Sequence, residues 1–330
     1  MTGRVGSRAA GLALGFVADR LLGDPRRWHP VAGFGTLAGH LEKRTYAAGR
    51  APGVAHVALL VGSTAALGLM AERVTRRSPV AHAAATAAAT WAVLGGRSLV
   101  REGDVISGQL SSGDLAAARL RLRNLVGRDT TRLDPDGIAR ACVESVAENT
   151  SDAVVAPLLW GGALGVPGLL AYRAVNTLDA MVGHRTPRYR EFGWAAARLD
   201  DVANWVPARF AAGAALTSAA LDGDSVAVSR ARDAIRHDAP AHPSPNGGVV
   251  EAAFAGVLGV TLGGTNVYEG RAEDRGSLGA GPSPAAYDIG RANRLSRRVG
   301  TLSLLGAMAL AAARSRGAAA AAGPGGSPGP

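Results

Sequence analysis

Three carboxylates stand four residues apart in the stretch ARACVESVAENTSDAVVAPLLWGG (139–162), at Glu144, Glu148 and Asp152. On a helix of 3.6 residues per turn they share one face, within ~80° of each other. Neighbours at that spacing are about 6 Å apart and repel unless positive charge lies between them. A solvated face paired with Arg140 would account for them, and so would a divalent cation. The stripe runs without a turn residue into a wall of Val, Leu, Trp and Gly. Acids at the edge of an apolar segment are costly and mark function, which favours the cation.

Four other polar segments carry chemistry-bearing residues. LLGDPRRWHPVAGFG (21–35) sets Asp24, Arg26, Arg27 and His29 around Pro25 and Pro30, a rigid polar turn or a helix stop anchored by Trp28. In LVGRDTTRLDPDGIARACVESVAENTSD (125–152), Arg128 and Arg132 precede the acidic stripe, and Asp134 with Pro135 starts its helix. Carboxylates suit hard cations and guanidinium forks suit phosphate, so these two clusters could hold Mg²⁺ and phosphate together; mutual salt bridges are the alternative. Residues 171–209 place Tyr172, Asn176, Asp179 and Gly183 on one helical face. A loop follows with His184, Arg185, Arg188 and Arg190, then the pair Asp200–Asp201 near Asn204. The pair could bind metal, while Arg198 and Asp201 also have the spacing of a plain i,i+3 ion pair. In 236–256 a helix is entered through Ser244, Pro245, Asn246 and Gly247, with Glu251 in its first turn. Backbone N–H groups at such a start attract anions.

The elements that must position these residues are helices. Almost every periodic segment has helical spacing, and β-branched and aromatic residues are too sparse for a sheet. Apolar residues make up 47% of the 330, charged residues 19%, and mean hydropathy is positive. Apolar runs recur at 9–22, 51–70, 79–96, 153–171, 202–221 and 299–313, of which only 51–70 meets the ~20-residue span requirement cleanly. The class expected is all-α, a polytopic helical membrane protein with re-entrant or broken helices. A water-soluble alanine-rich bundle is the alternative. Residues 1–313 would form one helical membrane enzyme domain, and the low-complexity segment 314–330 a disordered tail.

Net charge is +10, nearly all from arginine, with Lys43 the one lysine. The arginines alternate with acids between apolar runs rather than forming basic stripes interleaved with aromatics, so nucleic acid is not an expected partner. Excess positive charge beside apolar runs, as at Arg73, Arg76 and Arg77, suits anionic lipid at the inner face of a cell membrane. Cys142 is the single cysteine, which excludes an intrachain disulfide and a CxxC metal site and leaves it a small core residue. No cleavable leader is evident, and neither GxGxxG nor GxxxxGK[ST] occurs.

Seven segments in fixed order resemble one family. LLGDPRRWHPV, GRDT, ESVAENTSDAVVAPL, YRAVNTLDAMVGHR, RYREFGWAAARLDDVANWVPAR, DAPAHPSPNGGVVEAAFAG and LGG followed by Tyr268 are similar to the CbiB/CobD family, the adenosylcobinamide-phosphate synthases of cobalamin biosynthesis. The resemblance runs from about residue 10 to about 312. It implies a multi-pass membrane enzyme that joins (R)-1-amino-2-propanol, or its O-phosphate, to the free propionate of adenosylcobyric acid, an ATP-driven amide ligation. The corrinoid, the amine and membrane lipid would be its partners, with other enzymes of the cobalamin pathway.

Amide formation from a carboxylate needs a better leaving group than oxide, and an acyl phosphate made from ATP with Mg²⁺ provides one. On that reading Glu144, Glu148 and Asp152 hold Mg²⁺, joined by Asp200 and Asp201, with Glu148 essential to catalysis. Arg128, Arg185 and Arg188, with Asn246, hold phosphates. His184 or Asp179 takes the proton from the amine. These segments must meet on the cytoplasmic side, so 153–171, broken by Pro157, Gly161, Gly162, Gly165 and Pro167, should be re-entrant or a buried hairpin. The competing readings are a polytopic transporter, which predicts an internal repeat not found here, and a Mg²⁺-dependent membrane transferase, which would prefer two DDxxD-like motifs.

Overall fold

A computed structural model describes residues 2–24, 29–184, 186–268 and 271–321. The chain is all-α apart from one hairpin. Its helices are α1 (Thr2–Leu22), α2 (Pro30–Thr45), α3 (Arg50–Thr75), α4 (Pro79–Val93), α5 (Gly96–Ser111), α6 (Leu115–Leu122) and α7 (Pro135–Thr150). They continue with α8 (Ala156–Leu164), α9 (Val166–Val182), α10 (Trp194–Leu221), α11 (Ser225–His237), α12 (Gly247–Leu258) and α13 (Ala286–Ala321). Residues 314–321 thus continue α13, and 322–330 lie outside the described residues.

Local chemistry sets many of these boundaries. Asp134 caps α7 by accepting the Gly137 N–H at 2.7 Å, with Pro135 in the first turn, where its missing N–H costs nothing. Asp114 caps α6 through Ala117 N–H at 3.0 Å. Gly11 and Gly15 let α1 lie against α4, because a Cβ at either would stand 2.5 Å from Thr86 or Thr90 Cβ.

Between α7 and α8 the helix does not stop. Residues Ser151–Val155 form one π-helical turn, and α8 follows directly. The break comes at Gly165, whose φ of +75° suits a residue without a Cβ, and α9 begins at once. The apolar run 153–171 is therefore divided at Gly165 between the end of one helical stretch and the first turns of α9.

Two points bear on the sequence reading: the first departs from it, and the second agrees with its one clean span at 51–70. Strands β1 (Leu262–Tyr268) and β2 (Arg271–Leu278) form an antiparallel hairpin with a register shift between Gly263 and Thr265. Glycines at 263, 264 and 276 with positive φ supply its irregularity, so the segment lacks the regular alternation that betrays a strand. Second, α3 is the one helix among the described residues long and apolar enough to cross a membrane. The other apolar runs fall on helices that are shorter or interrupted by polar residues.

The largest core joins α5, α7, α10, α12 and α13 around Cys142, Val146, Ala211, Phe254 and Ile289. A second packs α1, α4, α8 and α9 around Leu12, Leu158 and Leu169. A third sets α2, α3 and α9 against Phe192. Cys142 is fully buried, which pushes its thiol up to about 12 and leaves it inert.

Candidate functional site

Three helical segments deliver carboxylates to one cleft. The end of α7 and the π-turn bring Glu148, Ser151 and Asp152; α9 brings Asp179; α10 brings Asp200, Asp201 and Asn204. The fourth wall is Pro243–Gly247 at the entry to α12. The cleft holds ≈ 350 Å³. Its five carboxylates face a single lining cation among the described residues, Arg198, which is largely exposed and 3.7 Å from Asp201.

Hydrogen bonds fix the acids in place. Asn204 Nδ2 donates to Asp200 Oδ2 at 2.9 Å, and Asn176 Nδ2 to Asp200 Oδ1 at 3.4 Å. Tyr172 Oη lies 2.8 Å from Asn204 Oδ1 and 3.1 Å from the Asp152 carbonyl, tying α9 to α10 and to the π-turn. Asn246 donates to the Asp201 carbonyl at 2.8 Å and accepts from Arg209 at 2.7 Å, which docks the α12 entry on α10.

The electrostatics follow from crowding like charges in a half-buried space. Burial, then Asp200, Glu148 and Asp179, push the Asp152 carboxyl well above the usual range, opposed by Arg173. Burial and Asp179 push Asp200 up to about 7, against the pull of the Asn204 and Asn176 hydrogen bonds. Burial, Asp201 and Glu148 push Asp179 up to about 6. Such a set is short of positive charge.

Not every residue singled out in the sequence reaches this cleft. Glu148, Asp152, Asp179, Asp200, Asp201 and Asn246 are brought together there. Glu144 is buried and forms an ion pair with the equally buried Arg128, while its Oε1 accepts the Gly263 N–H at 2.8 Å. The two are partners of each other, one turn behind the cleft. Arg188 pairs with Glu42 at 2.9 Å and covers the Tyr46 ring at 4.0 Å, beside α2. His184 is exposed, with Nε2 2.9 Å from the Ala180 carbonyl. Arg185 and residues 25–28 lie outside the described residues.

Two features escaped the sequence reading. Arg173 is a half-buried cation whose charge lowers Asp152 and which Asp24 and Asp152 in turn stabilise, with Nη1 3.4 Å from Asn176 Oδ1. Its signal was present in YRAVNTLDAM, next to Tyr172 and three residues before Asn176, but it lies off the face followed there. Behind the α12 entry, the fully buried Glu251 stands 3.6 Å from His242 Nε2 and 3.8 Å from Arg275 Nη2. Burial drives this carboxyl far up despite Arg275, with Glu148 and Glu144 adding to the rise.

Fold and cleft together define a helical protein with a polyacidic pocket assembled from segments far apart in sequence. The family model for CobD/Cbib protein matches residues 12–296. The chain belongs to the CobD/CbiB family, whose members named here are cobalamin biosynthesis proteins. It is 53% identical over 294 residues to "Cobalamin biosynthesis protein CobD" of Mycobacterium tuberculosis (strain ATCC 25618 / H37Rv), covering 89% of this chain and 92% of that one. It is 44% identical over 294 residues to the protein of that name from Chromobacterium violaceum, covering 87% and 91%. With that of Rhodobacter capsulatus it shares 38% over 313 residues, covering 92% and 98%. No solved structure matches it.

Proposed function

We propose that the protein is the ligase that joins (R)-1-amino-2-propanol, or its O-phosphate, to the free propionate of adenosylcobyric acid, using ATP and Mg²⁺. Membership of a cobalamin-biosynthesis family supports a corrinoid substrate. The observation that carries the chemistry is the cleft of five carboxylates with one exposed lining cation.

A hard divalent cation fits that donor set. Among the described residues no three acids or histidines form a ready metal cage. Mg²⁺ does not need one, because it keeps several waters and takes one or two carboxylates together with substrate phosphates. Glu148, Asp152, Asp200 and Asp201 would hold it, and when bound it would neutralise phosphate charge.

The substrate carboxylate takes the γ-phosphoryl group of ATP, giving an acyl phosphate and ADP. The amine nitrogen then displaces phosphate and forms the amide. Asp179, with its affinity for protons raised into the neutral range, accepts the proton that the nitrogen loses. Arg173 and Arg198 supply fixed positive charge beside the acids. The exposed Leu59 and Leu67 on α3, with Val202, Trp205 and Val206 on α10, support a site at the membrane's inner edge.

The test is direct. Membranes bearing the protein, given adenosylcobyric acid, ATP, Mg²⁺ and aminopropanol phosphate, should yield the amide. Glu148→Gln should lower turnover by about 100-fold or more while the protein still accumulates, the scale of losing a group that stabilises transferring charge. Wild-type turnover by the variant would remove Glu148 from the metal site.

A further inference from the structure

A second charged site lies across the π-turn from the acidic cleft. Ser151 and Asp152 line the cleft, whereas Ala153 and Val154 pack on the α4–α5 corner: the Gly95 N–H donates to the Ala153 carbonyl at 3.2 Å, and Val154 lies against Gly96. Beyond that corner are two adjoining cavities of ≈ 370 and ≈ 500 Å³ that share Arg97 and Arg101. The first is also lined by Arg20, Arg297 and Asp104, the second by Asp24 and Trp91.

Four guanidinium groups here face Asp24 and Asp104, with the buried Asp19 behind them accepting the Arg97 backbone N–H at 3.3 Å, and most of the guanidinium bonds leave the charge in place. Arg97 Nη1 donates to the Arg20 carbonyl at 2.6 Å. Arg20 donates to the Arg297 carbonyl and, at 3.1 Å, to Thr301 Oγ1. A carbonyl orients a guanidinium without neutralising it. Arg297 reaches Asp104 only at 3.4 Å, and Asp104 also accepts from Asn293 at 2.7 Å. Arg101 sits four residues after Arg97 on α5 and makes no ion pair or hydrogen bond to a described residue. Like charges at that spacing destabilise a helix unless an anion lies between them. Burial, then proximity to Arg297, lowers the proton affinity of Arg20, against the opposing pull of Asp19.

We infer that this groove binds a phosphate-ester anion, held by Arg97 and Arg101 with Arg20 and Arg297 at its rim. Guanidinium forks match phosphate oxygens, and carbonyl bonds already orient those of Arg97 and Arg20. The anion could be a soluble phosphorylated compound or a phospholipid headgroup. The inference does not depend on the ligase reading, because it uses none of the cleft's acids.

Trp91 forms one wall and donates Nε1–H to the Gly23 carbonyl at 3.0 Å, so its fluorescence reports on the groove. The detergent-solubilised full chain, in Mg²⁺-free buffer, would be titrated with pyrophosphate, with Trp91→Phe identifying the signal from this tryptophan. In parallel it would be mixed with vesicles of phosphatidylglycerol and of phosphatidylcholine. A saturable Trp91 response weakened about tenfold or more by Arg101→Gln, the scale of one charge-assisted hydrogen bond, supports a soluble ligand. Selective binding to phosphatidylglycerol vesicles that Arg101→Gln removes supports a headgroup. Glu148→Gln should leave either result unchanged, which separates this site from the cleft. Arg101 holds no structural bond, so its variant should fold; Arg97→Gln provides a second. The inference is overturned if neither probe binds, or if binding is the same in both arginine variants.

Discussion

At the scale of single residues, the acidic cleft stores repulsion that a cation would release. Burial and neighbouring carboxylates push Asp179 up to about 6 and Asp200 up to about 7, against 3.8 for a free aspartate. A carboxyl whose folded pKa is raised adds stability while it is protonated. That contribution is complete below about pH 3.8 and is lost as pH rises through 6 to 7. The cation-free protein should therefore melt at lower temperature at pH 8 than near pH 5, and Mg²⁺ should raise the melting temperature more at pH 8. Equal Mg²⁺ shifts at the two pH values would mean that the cation binds elsewhere. Much of this cleft could be read from residue spacing, since Asp200 with Asn204, and Asp179 with Asn176, recur at helical intervals. Which acid of the stripe belongs to it could not. Glu144 and Glu148 have the same local sequence signature, and only the tertiary placement of Arg128 separates them.

Elements explain that separation. The Glu144–Arg128 pair and the Gly263 N–H bond fasten the hairpin to α7, so these buried groups belong to the scaffold. Arg128→Ala would leave a buried carboxylate uncompensated and should cost about 3–5 kcal/mol. Chemical denaturation of the variant checks this. Proteolysis should then cut within 262–278 before other regions, and unchanged stability would return Arg128 to the list of phosphate ligands. The helix start at Asp134 was legible because a cap is a local bond between a side chain and the next turn. The π-turn was not, because an i→i+5 bond has no compositional mark. The hairpin was hidden for a different reason: its glycines contribute backbone shape, which no hydrophobic pattern records.

For the whole molecule, the proposed site at a membrane's edge raises the question of which side each segment would face. Among the described residues only α3 is long and apolar enough to cross, and α8 and α9 divide the run that follows the acids. The native Cys142 is buried, so introduced thiols report cleanly. Arg132→Cys and His184→Cys, both at exposed positions on either side of 153–171, should be labelled from the same face of sealed vesicles. Labels on opposite faces would mean that the run crosses and would part the acids of α7 from those of α10. The order of synthesis adds a constraint of its own. The helix that reaches α1, α5, α7, α8, α10 and α12 is α13, which is synthesised after all of them. Until it arrives, two of the cores lack a wall, since Ile289 and Val299 complete one and Ala307 the other. The nascent chain must therefore wait, with apolar faces uncovered, for residues 286–321 to be translated. A ribosome stalled before 286 would leave a product that no amount of time could mature.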